Sequence, residues 1–142
     1  EYKKDKNIEN LESEIPEFLI HLSSMEGRSI EKIVMEIANS KYKIITQEFR
    51  KTLNQIKSKM TIEKVFYDLK KRNKSKLFDE VVVLIEYVFE SGEFKLFSEM
   101  AQDVYRYFEI KREKMNLMSM QKYTLILGSV LLPIILNITT KM

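Results

Sequence analysis

The sequence predicts an all-α fold: a six-helix bundle with a repeated helix-cap-helix unit, followed by a hydrophobic C-terminal helix. Apolar residues recur at three- and four-residue steps from Ile15 to Phe108, which is the helical period. The one β-branched run, V-V-V-L-I within Phe78 to Phe89, has no second alternating segment to pair with, and a lone strand would leave its ladder unsatisfied. Of 142 residues, 24 are Lys or Arg and 21 are Asp or Glu, yet Tyr123 to Thr140 carries no charge at all. A chain of this length buries roughly two-thirds of its unfolded surface and needs no disulfide or structural metal. It has no Cys to supply either.

The elements follow in order. Residues 1–13 are highly charged, have few apolar anchors and lack an initiating Met, so they read as a frayed start or as part of a longer protein. Ile15, Phe18, Leu19, Leu22 and Met25 mark the first helix, with Pro16 expected in its first turn, where a missing N–H costs little, and Gly27 just past its end. Ser29 caps a second helix with the stripe Ile30, Ile33, Val34 and Ile37. A third carries Tyr42, Ile45, Phe49, Leu53 and Ile56. Thr61 caps a fourth with Ile62, Val65, Phe66 and Leu69, which ends in the basic turn K-K-R-N-K-S-K. The fifth, Phe78 to Phe89, is apolar on most faces and is expected at the centre of the bundle, closed by Gly92. Phe94, Phe97, Met100, Ala101, Val104 and Phe108 belong to a sixth.

Two of these starts are copies of one pattern. S-I-E-K-I-V-M-E-I at Ser29 to Ile37 matches T-I-E-K-V-F-Y-D-L at Thr61 to Leu69 in chemical type, 32 residues later. Each copy follows another helix.

Residue chemistry narrows the function classes. Gly27, Gly92 and Gly128 are too far apart to cradle a phosphate. His21 has no second His and no Cys to join it, so it reads as a packed or surface histidine rather than a ligand. Glu86, Glu90 and Glu93 are weak candidates for a hard cation, without the alternating Asp/Asn pattern of a calcium loop. The eight Met are core fillers. No cofactor and no enzymatic activity are expected.

Charge is unevenly spread. Residues 57–76 hold eight cations against two carboxylates, a net +6, and residues 77–104 hold one against seven, a net −6. Lys70, Lys71, Arg72, Lys74 and Lys76 are the candidate partner-binding patch, suited to an acidic protein surface. Residues 123–142 are a membrane-span candidate near the lower limit of about 17–25 residues, with Lys122 and Lys141 placed to reach the interface. The preceding flank, Arg106 to Lys122, carries five cations against two carboxylates, so residues 1–122 are expected on the cytoplasmic side.

The order of E-I-P-E-F-L at Glu14 to Leu19, M-E-G-R-S-I-E-K at Met25 to Lys32, the second helix start at Thr61 and E-S-G-E-F at Glu90 to Phe94 resembles the cytoplasmic domain of the type II secretion system F family. The platform proteins of archaella and archaeal type IV pilus-like machines look closest. The resemblance spans about Glu14 to Leu136. It implies a non-enzymatic platform in the inner or plasma membrane that contacts a hexameric assembly ATPase and pilin-like subunits, and it is compatible with a homodimer. Pro16, Gly27 and Gly92 are its structural positions. Lys59 and Met60 stand where family members often have a glycine, so that turn is expected to form without a positive φ. The domain reading is therefore a charged segment over 1–13, a helical bundle over 14–122 and a membrane-entering helix over 123–142. The alternatives are a soluble basic helical nucleic-acid binder and a tail-anchored adaptor. Nucleic acid is disfavoured, because no aromatics interleave with the lysines of the turn and the neighbouring acidic stretch would repel a phosphate backbone.

Overall fold

In the computed structural model, residues 2–127 are described, with side chains over residues 5–117. Six helices follow one another: α1 (Tyr2–Ser23), α2 (Ile30–Ala38), α3 (Ile44–Lys57), α4 (Ile62–Arg72), α5 (Lys76–Ser91) and α6 (Lys95–Leu127). Among the described residues, those up to Val104 form one compact unit and those from Tyr105 onward belong to a second. The second contributes the continuation of α6, where Tyr105, Tyr107, Ile110, Met115 and Leu117 are exposed. Among the described residues no helix is long and apolar enough to cross a membrane. The expected membrane helix over 123–142 lies outside the described side chains and, past Leu127, outside the described backbone.

Within the first unit α1 packs on α3 and α5, and α4 packs on α3 and α5, which closes a ring of four helices; α2 packs on α3. The buried apolar side chains come from these four helices and also from α2 (Ile33, Val34, Ile37) and the start of α6 (Phe97, Ala101, Val104). Phe18 of α1 meets Phe49 of α3 edge-on, with ring centroids 5.4 Å apart, and meets Tyr42 at 5.9 Å. Such pairs contribute about 0.5–1.5 kcal/mol beyond the area they bury. Phe89, Phe94 and Phe97 form a second chain of edge-on contacts where α5 turns into α6.

The two helix starts that match in sequence also match in structure. Ser29 and Thr61 are both extended, and each side-chain oxygen accepts a hydrogen bond from the backbone N–H three residues on, Lys32 and Lys64. The buried stripes coincide position for position, Ile33, Val34 and Ile37 against Val65, Phe66 and Leu69. The match extends two residues upstream, where Gly27 has φ +86° and Lys59 has φ +64°.

Lys59 corrects an expectation, since its turn does use a positive φ. The Lys59 N–H donates to Ile56 O at 3.0 Å and the Met60 N–H to Gln55 O at 3.2 Å, the paired bonds by which a left-handed residue stops a helix. An L-residue with a Cβ adopts this conformation at a cost of about 1–2 kcal/mol. The turn geometry is forced because α4 must restart with Thr61 as its cap.

Three further expectations change. Pro16 is not in a first turn but inside α1, because the helix begins at Tyr2 and takes in the charged segment that was expected to fray. Leu11 is 2% exposed and continues the Ile15–Phe18 face backwards. Burial of such side chains, about 1.5–3 kcal/mol each, offsets the roughly 3 kcal/mol that an interior proline costs. Helix α5 is not the centre of the bundle: Phe78, Val81, Val82, Ile85 and Val88 face inward, while Val83 and Tyr87 are more than half exposed. A helix in a four-membered ring has an outer face whatever its composition. Gly27 lies at the end of the turn after α1 rather than directly on the helix terminus, whereas Gly92 closes α5 as expected, left-handed at φ +77°.

The αL position yields a measurable difference. Lys59→Gly is expected to raise stability by about 1 kcal/mol, read as a higher urea midpoint at unchanged slope. Gly27→Ala is expected to lower it by a similar amount, about 1 kcal/mol, because open space surrounds that Cβ position and only the backbone conformation opposes it. No gain in the lysine variant would mean that the Lys59 turn relaxes without strain.

Candidate functional site

The last turn of α4 gathers Lys70, Lys71 and Arg72, cations that favour a helix C-terminus. The chain then passes Asn73 and Lys74 to Ser75, whose side-chain oxygen accepts from the Phe78 N–H and starts α5. The buried Ser75 hydroxyl also donates to Glu12 Oε1 of α1 at 2.8 Å. The turn is thus anchored at its base to a helix far away in sequence.

The five cations of the predicted patch separate into two groups. Arg72 turns inward: its Nε donates to Glu48 Oε2 of α3 at 2.9 Å, and its terminal nitrogens reach Gln55, Thr52 and the Glu48 carbonyl at 3.4 Å. Lys70 is half-buried and stands 3.6 Å from Glu86 Oε1 of α5. Lys71, Lys74 and Lys76 are exposed. Lys64 and Lys71 flank the exposed ring of Tyr67 at 5.3 and 5.7 Å from its centroid.

Glu48 is the residue that sequence reasoning missed. It is 9% exposed and also accepts from Asn73 Nδ2 at 3.2 Å and Lys51 Nζ at 3.2 Å. Burial by itself would raise its pKa, but hydrogen bonds from Arg72, Asn73 and Lys51 and the Lys51 charge prevail and hold it below the usual carboxylate value. The available signal was the single Arg in a lysine run, since a guanidinium supplies several fixed donors where an ammonium supplies a mobile point charge.

Concavities among the described residues of this unit include two that bear on these side chains. One, of about 290 Å³, lies between the first half of α1, the start of α3 and the α4–α5 turn; its apolar side is Ile8, Leu11 and Ile44, its polar side Gln47, Arg72, Asn73 and Lys74. The other, of about 400 Å³, includes Glu17, His21, Glu36 and Tyr42. There the Tyr42 hydroxyl lies 3.2 Å from His21 Nδ1, His21 Nε2 lies 3.4 Å from Glu36 Oε2, and Arg28 Nη1 pairs with Glu36 at 2.8 Å. Both ring nitrogens are satisfied when the hydroxyl donates to Nδ1 and Nε2–H faces the carboxylate. Burial, then the charges of Glu17 and Glu14, push the Tyr42 pKa up to about 12. His21 thereby ties α1 to α2 and to the loop before α3.

Glu86 is engaged with Lys70, while Glu90 and Glu93 are exposed. Among the described residues no group of three His, Asp or Glu side chains is placed to hold a metal ion. No protein-family model, curated protein or solved structure matches this chain.

Two pH dependences follow. The Glu48 contribution to stability is fully present above its ordinary value of 4.5 and is lost as pH falls through its lowered folded-state value. Urea midpoints are expected to decline in that window, and Glu48→Gln is expected to be less stable at neutral pH with a flatter acid limb. At the alkaline end the Tyr42 contribution is complete below 10.0 and lost as pH rises towards about 12. One of the seven tyrosines is expected to ionise last in an ultraviolet titration, and Tyr42→Phe to abolish that late step.

Proposed function

We propose that this chain is a non-enzymatic docking domain of a membrane platform in a type II secretion, type IV pilus or archaellum assembly machine. The bundle sits on the cytoplasmic side and binds the hexameric assembly ATPase. It transmits the movements of that partner to the membrane segment, so that pilin-like subunits are inserted or lifted. The motif order that resembles the type II secretion system F family supports the platform part of this reading.

One observation carries the docking part: the α4–α5 turn is rigidly mounted and outwardly basic. Arg72 and Lys70 pair with Glu48 and Glu86, which holds the turn against α3 and α5, and Lys71 and Lys76 on the same turn are exposed. A fixed patch of one sign attracts a partner of the other sign and sets its approach, at little entropic cost on binding. The buried polar side chains have structural duties: Thr46 bonds Ser40, Thr52 bonds the Glu48 carbonyl, and Ser75 and Glu48 hold the turn.

The test is the affinity of the full chain, in nonionic detergent, for the assembly ATPase of the same genome at two salt concentrations. Binding is expected to weaken with salt and to fall about tenfold when Lys71, Lys74 and Lys76 are changed together to Glu, a loss of about 1.4 kcal/mol. Unchanged affinity in a folded triple variant would remove the patch from the interface.

A further inference from the structure

Two exposed helix faces of this chain complement one another. The outer side of α5 carries Glu80, Val83, Tyr87 and Glu90 at steps of three, four and three residues, so they share one face, and all four are exposed. The continuation of α6 carries Tyr107, Ile110, Lys114 and Leu117 at the same steps, with Arg106 four residues before Ile110 on that face, and all five are exposed. We propose that two copies of this chain associate by laying the α6 continuation of each on the outer α5 face of the other. This inference goes beyond the docking reading and does not rest on it.

Neither face is covered by its own chain. Val83 and Tyr87 are more than half exposed on a helix whose other side is buried through Phe78, Val81, Val82, Ile85 and Val88. From Tyr105 to Leu117 only Phe108 is even half-buried, and Tyr107 and Leu117 are more than half exposed. A helix draws most of its stability from packing an apolar face, and this length of α6 leaves such a face in water. Tyr87 and Tyr107 also supply the aromatic character that is enriched where proteins meet.

Charge selects the occupant. Between Lys76 and Lys95 the chain holds Asp79, Glu80, Glu86, Glu90 and Glu93 and no cation. Glu86 is engaged by Lys70, whereas Glu80 and Glu90 make no ion pair with a described residue. Lys76, one turn before Glu80, belongs to the basic turn and marks the end of the acidic stripe. Residues 105–117 hold Arg106, Lys111, Arg112 and Lys114 against Glu109 and Glu113, a net +2; Arg106 and Lys114 lie on the Ile110 side, with Glu113 at its margin. At 1.5 Å per residue the two acids stand ~15 Å apart along α5 and the two cations ~12 Å apart along α6, so one helix-on-helix contact brings both pairs together. Stacking α5 on α5 would set acid on acid, and α6 on α6 would set cation on cation. Only the crossed arrangement joins opposite signs, and a two-fold axis makes that contact twice.

The test follows the protein mass of the full chain in nonionic detergent by light scattering during size exclusion. A concentration-dependent dimer is expected, weaker at high salt. One variant combines Glu80→Lys with Glu90→Lys, and a second combines Arg106→Glu with Lys114→Glu. Each is expected to raise the dimer dissociation constant at least about tenfold with circular dichroism unchanged, since all four positions are exposed. An equimolar mixture of the two is expected to restore the dimer, because in the mixed pair both crossed contacts again join opposite charges. Tyr87→Ser and Ile110→Ser, also at exposed positions, are each expected to weaken the wild-type dimer about tenfold.

A wild-type chain that stays monomeric at every accessible concentration would overturn the interface. So would charge variants that dimerise as the wild type does, which would move association elsewhere, as to the uncharged stretch 123–140. Loss of the dimer in both charge variants without recovery on mixing would mean that the two faces do not meet between copies, and would overturn it as well. Should a charge variant lose its helical circular dichroism, Tyr87→Ser and Ile110→Ser decide in its place, and unchanged dimerisation in both would end the proposal.

Discussion

The Glu14 carboxylate, seated on the N-terminus of α3, is the interaction on which the arrangement of the bundle depends. Its Oε1 accepts from the Lys43 and Ile44 N–H groups at 2.9 and 3.0 Å, and its Oε2 accepts from Ile45 at 3.0 Å. Helix α3 has no side-chain cap of its own, so without Glu14 these donors would rely on water. An ordinary cap is worth about 0.5–2 kcal/mol, and here the acceptor is charged and faces the positive end of the helix. The geometric effect exceeds the energetic one. Pinning the middle of α1 to the start of α3 brings Phe18 onto Phe49 and sets the two helices on which α2, α4 and α5 then pack.

Other helix ends obey the same logic of being closed by a distant element. Arg50 of α3 donates through Nε to the Ala38 carbonyl at the end of α2, a helix with no basic residue in its own last turn. Glu12 holds the Ser75 hydroxyl that in turn caps α5. Unpaired backbone groups at helix termini are costly when covered. Supplying their partners from neighbouring helices joins local helix formation to tertiary assembly, so the ends form fully only when the ring closes.

The candidate site arises from a division among like charges. Two cations of the turn face inward and are compensated by Glu48 and Glu86, and three face outward. Compensation matters because half-buried charges are tolerated only when paired and hydrogen-bonded. Glu48 does this for Arg72 while also accepting from Asn73, the residue at which α4 ends, so one carboxylate sets both the helix end and the direction of the turn. The exposed lysines stand on a mount that does not need a partner to become ordered.

What the sequence by itself determined is local. The caps Ser29 and Thr61, the 32-residue repeat, the apolar stripes of α2, α3 and α4 and the glycine stop at Gly92 were legible because each depends on residues within one or two turns of each other. The basic turn was equally legible as a run of charge. Tertiary structure alone decided which faces were used. Pro16 entered a helix interior because Leu11 found a core to bury in, α5 took an outer place despite its composition, and Lys59 accepted a left-handed backbone so that the second copy of the repeat could restart. Glu14 and Glu48 carried no local mark. Apart from Lys51, one turn from Glu48, their partners lie 24 to 31 residues away, where no periodicity reaches, and the meaning of a carboxylate depends on which donors the fold brings to it.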